Sequence, residues 1–209
     1  MGRLNTAELD AVTLDAYGTL VTLVDPVPAL AAALAERGVE RDREAVAAAF
    51  HAEVAHYGKH SGEGDDEAGL AQLQEDCARV FLGAARAELD AAEFAPVYAG
   101  AMRFELLPDV VVALEYLRSL GLELAVVANW DLTLRRLLDE IGLARHFRVV
   151  VHAARKPSPD GLLRALSELG VAPARALHIG DDDADEDAAR SAGTNFARAP
   201  LPDAIASLA

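Results

Sequence analysis

Cysteine is almost absent from this chain of 209 residues, since Cys77 is the only one. One cysteine excludes a disulfide within the chain and a metal cluster built from several cysteines. Aromatic residues make up only 5% of the sequence, although hydrophobic residues make up 52%. We therefore expect a sizeable core filled mainly by alanine, valine and leucine, in one domain or in one domain with an insertion.

Basic residues are also scarce. The 19 lysines and arginines stand against 34 acidic residues, which gives a net charge of −15. This balance argues against nucleic acid or an anionic membrane as a partner, because both require a basic surface. It leaves room for an anionic small molecule where a bound divalent cation inverts the local field.

Long apolar runs are missing as well. None approaches the ~20 residues that span a bilayer, and the first ten residues lack the apolar centre of a signal peptide. We predict a soluble cytoplasmic protein, monomer or homodimer, that acts on a small-molecule substrate.

Strands and helices alternate over most of the chain. A short buried strand at 11–14 leads directly into Asp15, and the alternation resumes at 105. Further strands are predicted at about 122–127, 147–151, 175–179 and 194–197, and helices at about 109–120, 132–141, 159–169 and 186–192, followed by a terminal helix. This order predicts an α/β fold with a doubly wound, Rossmann-like parallel sheet and helices on both faces.

Residues 22–104 interrupt the alternation. We find no convincing strand there and predict four helices, at about 27–37, 42–57, 68–88 and 91–104. A crossover between parallel strands normally needs one helix. We therefore predict an all-helical cap domain at 22–104, inserted into a core domain formed by 1–21 and 105–209.

Polar residues follow the predicted strands, and ligands bind outside the carboxyl ends of parallel strands. These residues are Asp15, Asn129, Lys156, Asp181 and Asp185. A carboxylate can attack an electrophilic centre, and a lysine can neutralise the charge that develops. The turn at Gly18 and Thr19 can present backbone N–H groups to an anion.

Several acidic groups beside Asp15 would repel it unless a cation lies between them, and Mg²⁺ suits a few carboxylates. A calcium loop of the EF-hand type is rejected, because the positions that need Gly and Glu hold Glu186 and Ala192. Glycine-rich nucleotide-binding motifs are missing too, and His178 is expected to be a hydrogen-bonded core residue.

Four segments together resemble the haloacid dehalogenase-like (HAD) hydrolase superfamily, in its helical-cap (C1-type) branch. They are Asp15-Ala-Tyr-Gly-Thr-Leu20, Val126-Val-Ala-Asn-Trp-Asp131, Lys156-Pro-Ser-Pro159 and His178-Ile-Gly-Asp-Asp-Asp-Ala-Asp185. The resemblance implies that Asp15 is the nucleophile, that Lys156 steadies nucleophile and substrate, and that Mg²⁺ is the cofactor. The implied substrate-binding residues are Tyr17, Gly18, Thr19 and Asn129, and the implied metal ligands are Asp15, the Tyr17 backbone carbonyl, Asp181 and Asp185.

Three departures from the family's motifs bear on function. The fourth motif is one residue shorter than the commoner form, so which of Asp181, Asp182 and Asp185 bind the metal stays open, and we favour Asp181 and Asp185. Phosphatases of the superfamily carry a second aspartate, their general acid and base, where this chain has Tyr17. A phenol is a poor base at neutral pH, and general acid–base help is typically worth ~10²–10⁴-fold in rate. The second motif usually offers Ser or Thr to a phosphoryl oxygen, and here that position is Ala128.

Three functions follow from this pattern. The first is a Mg²⁺-dependent phosphatase of a small phosphorylated metabolite, with slow turnover expected because Tyr17 stands where the acid/base aspartate is usual. The second is a 2-haloacid dehalogenase, whose first motif also has tyrosine at position 17 but whose second and fourth motifs differ from those here. The third is a non-catalytic, ligand-binding or regulatory protein on the same fold.

Overall fold

The computed structural model describes residues 8–206 and Leu208. The chain divides into two compact units: the segments up to Thr22 and from Glu105 onward form one, and Leu23–Phe104 forms the other. In the described residues, no helix combines the length and the apolar character that crossing a membrane would require.

The first unit is built on a five-stranded sheet. Its strands are β1 (Ala11–Leu14), β4 (Glu123–Val127), β5 (Val149–Val151), β6 (Ala176–Gly180) and β7 (Asn195–Arg198). They lie in the order β5-β4-β1-β6-β7, and all four neighbouring pairs are parallel. All four residues of the central β1 are buried, as expected for a parallel sheet covered on both faces. The predicted α/β fold is confirmed.

Helices separate these strands along the chain. They are α5 (Val110–Ser119), α6 (Leu134–Glu140), α7 (Asp160–Leu169), α8 (Asp183–Ala192) and α9 (Leu201–Ala206). α7 and α8 contribute to one core cluster with β1, β4, β5 and β6, and all of its buried members are alanine, valine or leucine. Small side chains let the helices approach the sheet closely.

The second unit is helical. It contains α1 (Val27–Ala35), α2 (Arg43–His60), α3 (Glu67–Ala84) and α4 (Ala91–Ala101). Its core contains larger side chains than the core cluster beside the sheet. Phe81 packs against Phe94 and Tyr98, with ring centroids 6.0 and 5.0 Å away.

Two details differ from the sequence prediction. The strands β2 (Val21–Leu23) and β3 (Phe104–Leu106) pair in a small sheet; at three residues each they are too short to show a period. α8 begins at Asp183 instead of about 186, because Asp182 and Asp185 form a capping box at its N-terminus.

Candidate active site

Asp15 lies directly after β1, in the centre of the sheet. Its backbone N–H donates to the carbonyl of Ile179 on β6 (2.9 Å), so the parallel ladder continues to this residue. The side chain is largely buried, since the residue is 7% exposed. The position is therefore fixed by strand pairing rather than by a flexible loop.

Lys156 comes from the loop between β5 and α7 and joins two carboxylates. Its ammonium group donates hydrogen bonds to Asp15 and to Asp185, which is the third residue of α8. The Lys156 side chain is only 4% exposed. A buried ammonium group is stable only when it is paired and hydrogen-bonded, and both conditions are met.

A second chain of hydrogen bonds reaches Asp185 from the sheet. The register of β1 and β6 places Thr13 opposite His178, and the Thr13 hydroxyl lies 2.9 Å from His178 Nδ1. His178 Nε2 lies 3.1 Å from Asp185 Oδ1. Because an ionised carboxylate only accepts, Nε2 carries the proton, and Nδ1 can accept from the threonine.

Asp181 completes a group of three carboxylates. Ligand oxygens of Asp15, Asp181 and Asp185 lie within 4.8 Å of one another. Gly18, with φ of +75°, folds against Asp181 so closely that a Cβ atom would collide with its carboxyl group. A Cβ at Gly180 would likewise collide with the Asp185 side chain. Close packing against the buried Asp185 thus excludes a side chain at Gly180, and at Gly18 the left-handed backbone conformation adds to the close approach of Asp181.

Burial and charge pairing shift the pKa values of this cluster in opposite directions. Desolvation raises the pKa of Asp15 to about 7, although the Lys156 charge opposes the shift. Burial alone would lower the pKa of Lys156, but Asp15 and Asp185 outweigh it and hold that pKa above its ordinary value. Burial also opposes ionisation of Asp185, yet hydrogen bonds from His178 and Lys156 hold its pKa below the ordinary range. Lys156 therefore helps to keep the pKa of Asp185 low, whereas the pKa of Asp15 stays near neutral pH.

The donor set fits a divalent cation. Three carboxylates with one lysine leave excess negative charge, and desolvation with the neighbouring Asp185 and Asp182 raises the pKa of Asp181 as well. Asp185 already accepts from Lys156, His178 and the Asp182 N–H. Asp15 and the solvent-exposed Asp181 are consequently the better placed carboxylates, and Mg²⁺ takes few protein carboxylates and keeps several waters.

Other predicted site residues lie in different settings. The Tyr17 side chain is 51% exposed, whereas Thr19 is 1% exposed and its hydroxyl has no hydrogen-bond partner among the described residues. The Asn129 side chain is bonded to the backbone of Lys156. Asp182 caps α8 by accepting from the Asp185 N–H, so its carboxylate serves the helix.

The sequence reading did not identify the roles of Thr13 and Arg198. Thr13 is a polar residue in an apolar strand, two positions before Asp15. Because side chains two positions apart in a strand point to the same face, this spacing could have indicated that Thr13 and Asp15 share a face. Arg198 donates to the Asp181 carbonyl (2.8 Å) and to Asp183, and so fixes the loop that carries Asp181. Its distance from Asp181 along the chain gave no local signal.

Comparison with known proteins agrees with this geometry. A sequence model of haloacid dehalogenase-like hydrolases matches residues 9–193. The chain is 33% identical over 190 residues to a phosphoglycolate phosphatase of Pseudomonas savastanoi pv. phaseolicola, covering 82% of this chain and 63% of that one. It is 39% identical over 97 residues to a phosphoglycolate phosphatase of Aquifex aeolicus, covering 44% and 46%. The chain thus spans about half to two thirds of these relatives' lengths.

A solved structure shares the fold. The L-2-haloacid dehalogenase of Xanthobacter autotrophicus has a TM-score of 0.65 and 27% identity, with 91% of this chain and 77% of that chain covered. The resemblance found in the four motifs is confirmed by the match that spans them all. The chain belongs to the haloacid dehalogenase-like hydrolases.

Proposed function

We propose that this protein is a Mg²⁺-dependent phosphatase of a small phosphorylated metabolite, acting in the cytoplasm. The observation that carries the proposal is the buried Lys156 bonded to both Asp15 and Asp185, with Asp181 completing the carboxylate group. A dehalogenation site would need no such excess of negative charge. The phosphatase names of the two curated relatives support the same reaction class.

In the proposed reaction, the Asp15 carboxylate attacks phosphorus, the bond from phosphorus to the ester oxygen breaks, and an aspartyl phosphate forms. Water then attacks this phosphorus, releases inorganic phosphate and regenerates Asp15. Lys156 holds Asp15 in place and offsets the charge that develops on the phosphoryl oxygens. Bound Mg²⁺, held by Asp15, Asp181 and the Tyr17 carbonyl with Asp185 beside them, would neutralise phosphoryl charge.

Tyr17 sets the limit on this reaction. With no carboxyl group at that position, the departing alkoxide must take its proton from water. Substrates with good leaving groups, such as aryl phosphates, need this proton least. We expect them to be hydrolysed faster than alkyl phosphates.

The test is phosphate release from an aryl phosphate with and without Mg²⁺, with Asp15→Asn protein alongside. We expect turnover with Mg²⁺ only, and a loss on the order of 10⁴-fold or more in Asp15→Asn. Asp15→Asn should stay folded, because it removes a buried charge; its melting temperature is the control. Equal turnover in EDTA would contradict the metal requirement.

A 2-haloacid dehalogenase is the second candidate, and Tyr17 favours it together with the likeness to the Xanthobacter enzyme. There, the Asp15 carboxylate would displace halide from carbon and water would hydrolyse the resulting ester. Halide release from 2-chloropropionate in EDTA would establish it. If neither substrate class turns over while Mg²⁺ raises the melting temperature, the protein is a non-catalytic binding protein.

A further inference from the structure

The loop between β5 and α7, which delivers Lys156, has an unfavourable backbone. Ala153 and Arg155 both have positive φ angles, of 49° and 58°. Residues with a Cβ atom rarely adopt this left-handed conformation, and they keep it only where surrounding contacts impose it. Some contact must therefore hold this loop.

The contacts come from the loop after β4. Two are backbone bonds, from the Ala154 N–H to the Ala128 carbonyl (3.1 Å) and from the Ala153 N–H to the Trp130 carbonyl (2.8 Å). The Asn129 side chain provides the other two. Its oxygen accepts from the Lys156 N–H (2.7 Å) and its amide nitrogen donates to the Lys156 carbonyl (2.9 Å).

Asn129 thus forms hydrogen bonds with both polar backbone groups of Lys156. A primary amide is suited to this, since it presents an acceptor and a donor side by side and needs no charge. These two bonds use the amide oxygen and one of the two N–H groups of the Asn129 side chain. The loss of either bond would leave a partly buried backbone group unsatisfied.

We propose that Asn129 is a positioning residue for Lys156: it fixes the strained β5–α7 loop so that the ammonium group reaches Asp15 and Asp185. It acts through the lysine and does not recognise the substrate with its side chain. The kinetic part of this inference rests on the proposed function, whereas the structural part does not.

The chain offers a direct measurement, because Lys59 and Lys156 are its only lysines. Lys59 is exposed and serves as an internal reference for the buried Lys156. Brief acetylation with acetic anhydride, followed by peptide mass spectrometry, gives the labelling ratio of the two. In the unaltered protein we expect Lys156 to be at least about tenfold less labelled than Lys59, because labelling requires local opening.

Asn129→Leu removes both bonds at similar volume and should raise the relative labelling of Lys156 by about tenfold. Asn129→Asp keeps the acceptor and loses the donor, so it should give a smaller increase; it also serves if the leucine variant fails to fold. Asn195→Leu is the matched control. Asn195 donates its amide to the Ala176 carbonyl (3.1 Å) elsewhere on the sheet, and its loss should leave Lys156 protected.

Kinetics supply the second readout. With an aryl phosphate, Asn129→Leu should lower kcat about tenfold to a hundredfold and change KM by less than about twofold. A raised KM with Lys156 still protected would overturn the inference, because it would make Asn129 a substrate contact. Absence of turnover in every variant would reject the proposed function alone, since the labelling ratio needs no substrate.

Discussion

Asp15 in the first unit and Glu53 in the second are both buried carboxyl groups, 7% and 5% exposed, but their partners differ. Asp15 is bonded to the ammonium group of Lys156. Glu53, on α2, accepts from the hydroxyl of Tyr98 on α4 (2.6 Å) and from the Cys77 thiol on α3. One cluster is built on a charge and the other on neutral donors.

The difference separates a carboxyl group paired with a buried charge from one held by neutral hydrogen bonds. Burial raises the pKa of Glu53, and the Tyr98 and Cys77 bonds oppose the shift only in part. Burial likewise raises the pKa of the Tyr98 hydroxyl. Glu53 receives hydrogen bonds from neutral groups on α3 and α4, so it links three helices of the second unit. Asp15, with a cation in contact, is held where ionisation is accessible at neutral pH.

The largest effect on rate is expected at Tyr17, where the first unit has no carboxyl group to donate a proton. Tyr17→Asp should raise turnover of alkyl phosphates by up to about 10²–10⁴-fold, because it places a general acid beside the leaving group. Tyr17→Phe is the control and should match the unaltered protein. Initial rates of phosphate release measure both. If the aspartate variant is no faster, residue 17 does not lie on the path of the proton.

The cation can be removed from the first unit. Lys156→Met leaves Asp15 and Asp185 buried without their partner and should lower the free energy of unfolding by about 3–5 kcal/mol. Glu53→Gln keeps a hydrogen-bonding group in the second unit and should change the free energy of unfolding by no more than about 1 kcal/mol in either direction. Urea unfolding in EDTA at neutral pH compares them. Equal losses would show that the two clusters do not differ in the way proposed.

Glu53 in the second unit and Asp185 in the first should make contributions to stability that respond to pH in opposite directions. The pKa of Glu53 is raised in the folded state, so its contribution to stability is present at low pH and declines as pH rises above 4.5, its ordinary value. The pKa of Asp185 is lowered, so its contribution is present above 3.8 and declines below it. Urea unfolding across the acid range measures the free energy of unfolding of each variant against that of the unaltered protein. As pH rises, Glu53→Gln should become increasingly more stable than the unaltered protein, and Asp185→Asn increasingly less stable. A flat difference in either case would reject the assigned shift.

The smallest expected effect concerns helix caps. Asp66 caps α3 and Asp182 caps α8, and alanine at either position should cost about 0.5–2 kcal/mol of unfolding free energy. Only Asp182→Ala should also slow phosphate release, because its capping box orients Asp185. Thermal melting and initial rates separate the two effects. A matching loss of activity in Asp66→Ala would contradict this division.

Much of the fold followed from the sequence for a local reason. The apolar run before Asp15 and the alternation after residue 105 predicted a parallel sheet, because a strand buried on both faces reads as a continuous apolar segment. The helices of the second unit were predicted within a few residues of their ends. The three-residue strands β2 and β3 were missed, since they contain too few residues to show a pattern.

The candidate site was predictable as a set of strand ends, because parallel strands place all their carboxyl ends at one edge of the sheet. That set contained Asp15, Lys156, Asp181 and Asp185. It assigned Asn129 to substrate binding, a role that stays a prediction and that the two bonds to the Lys156 backbone disfavour.

The sequence by itself determined which residues gather around Asp15, since spacing and apolar patterning fix where each strand ends. Only the tertiary structure decided which of them touch. The register of β1 and β6 sets Thr13 opposite His178. Asn129, in the loop after β4, is hydrogen-bonded to Lys156, which lies 27 residues further along the chain. Hydrogen bonds act over about 3 Å, so such pairings depend on register and loop path, which no local pattern encodes.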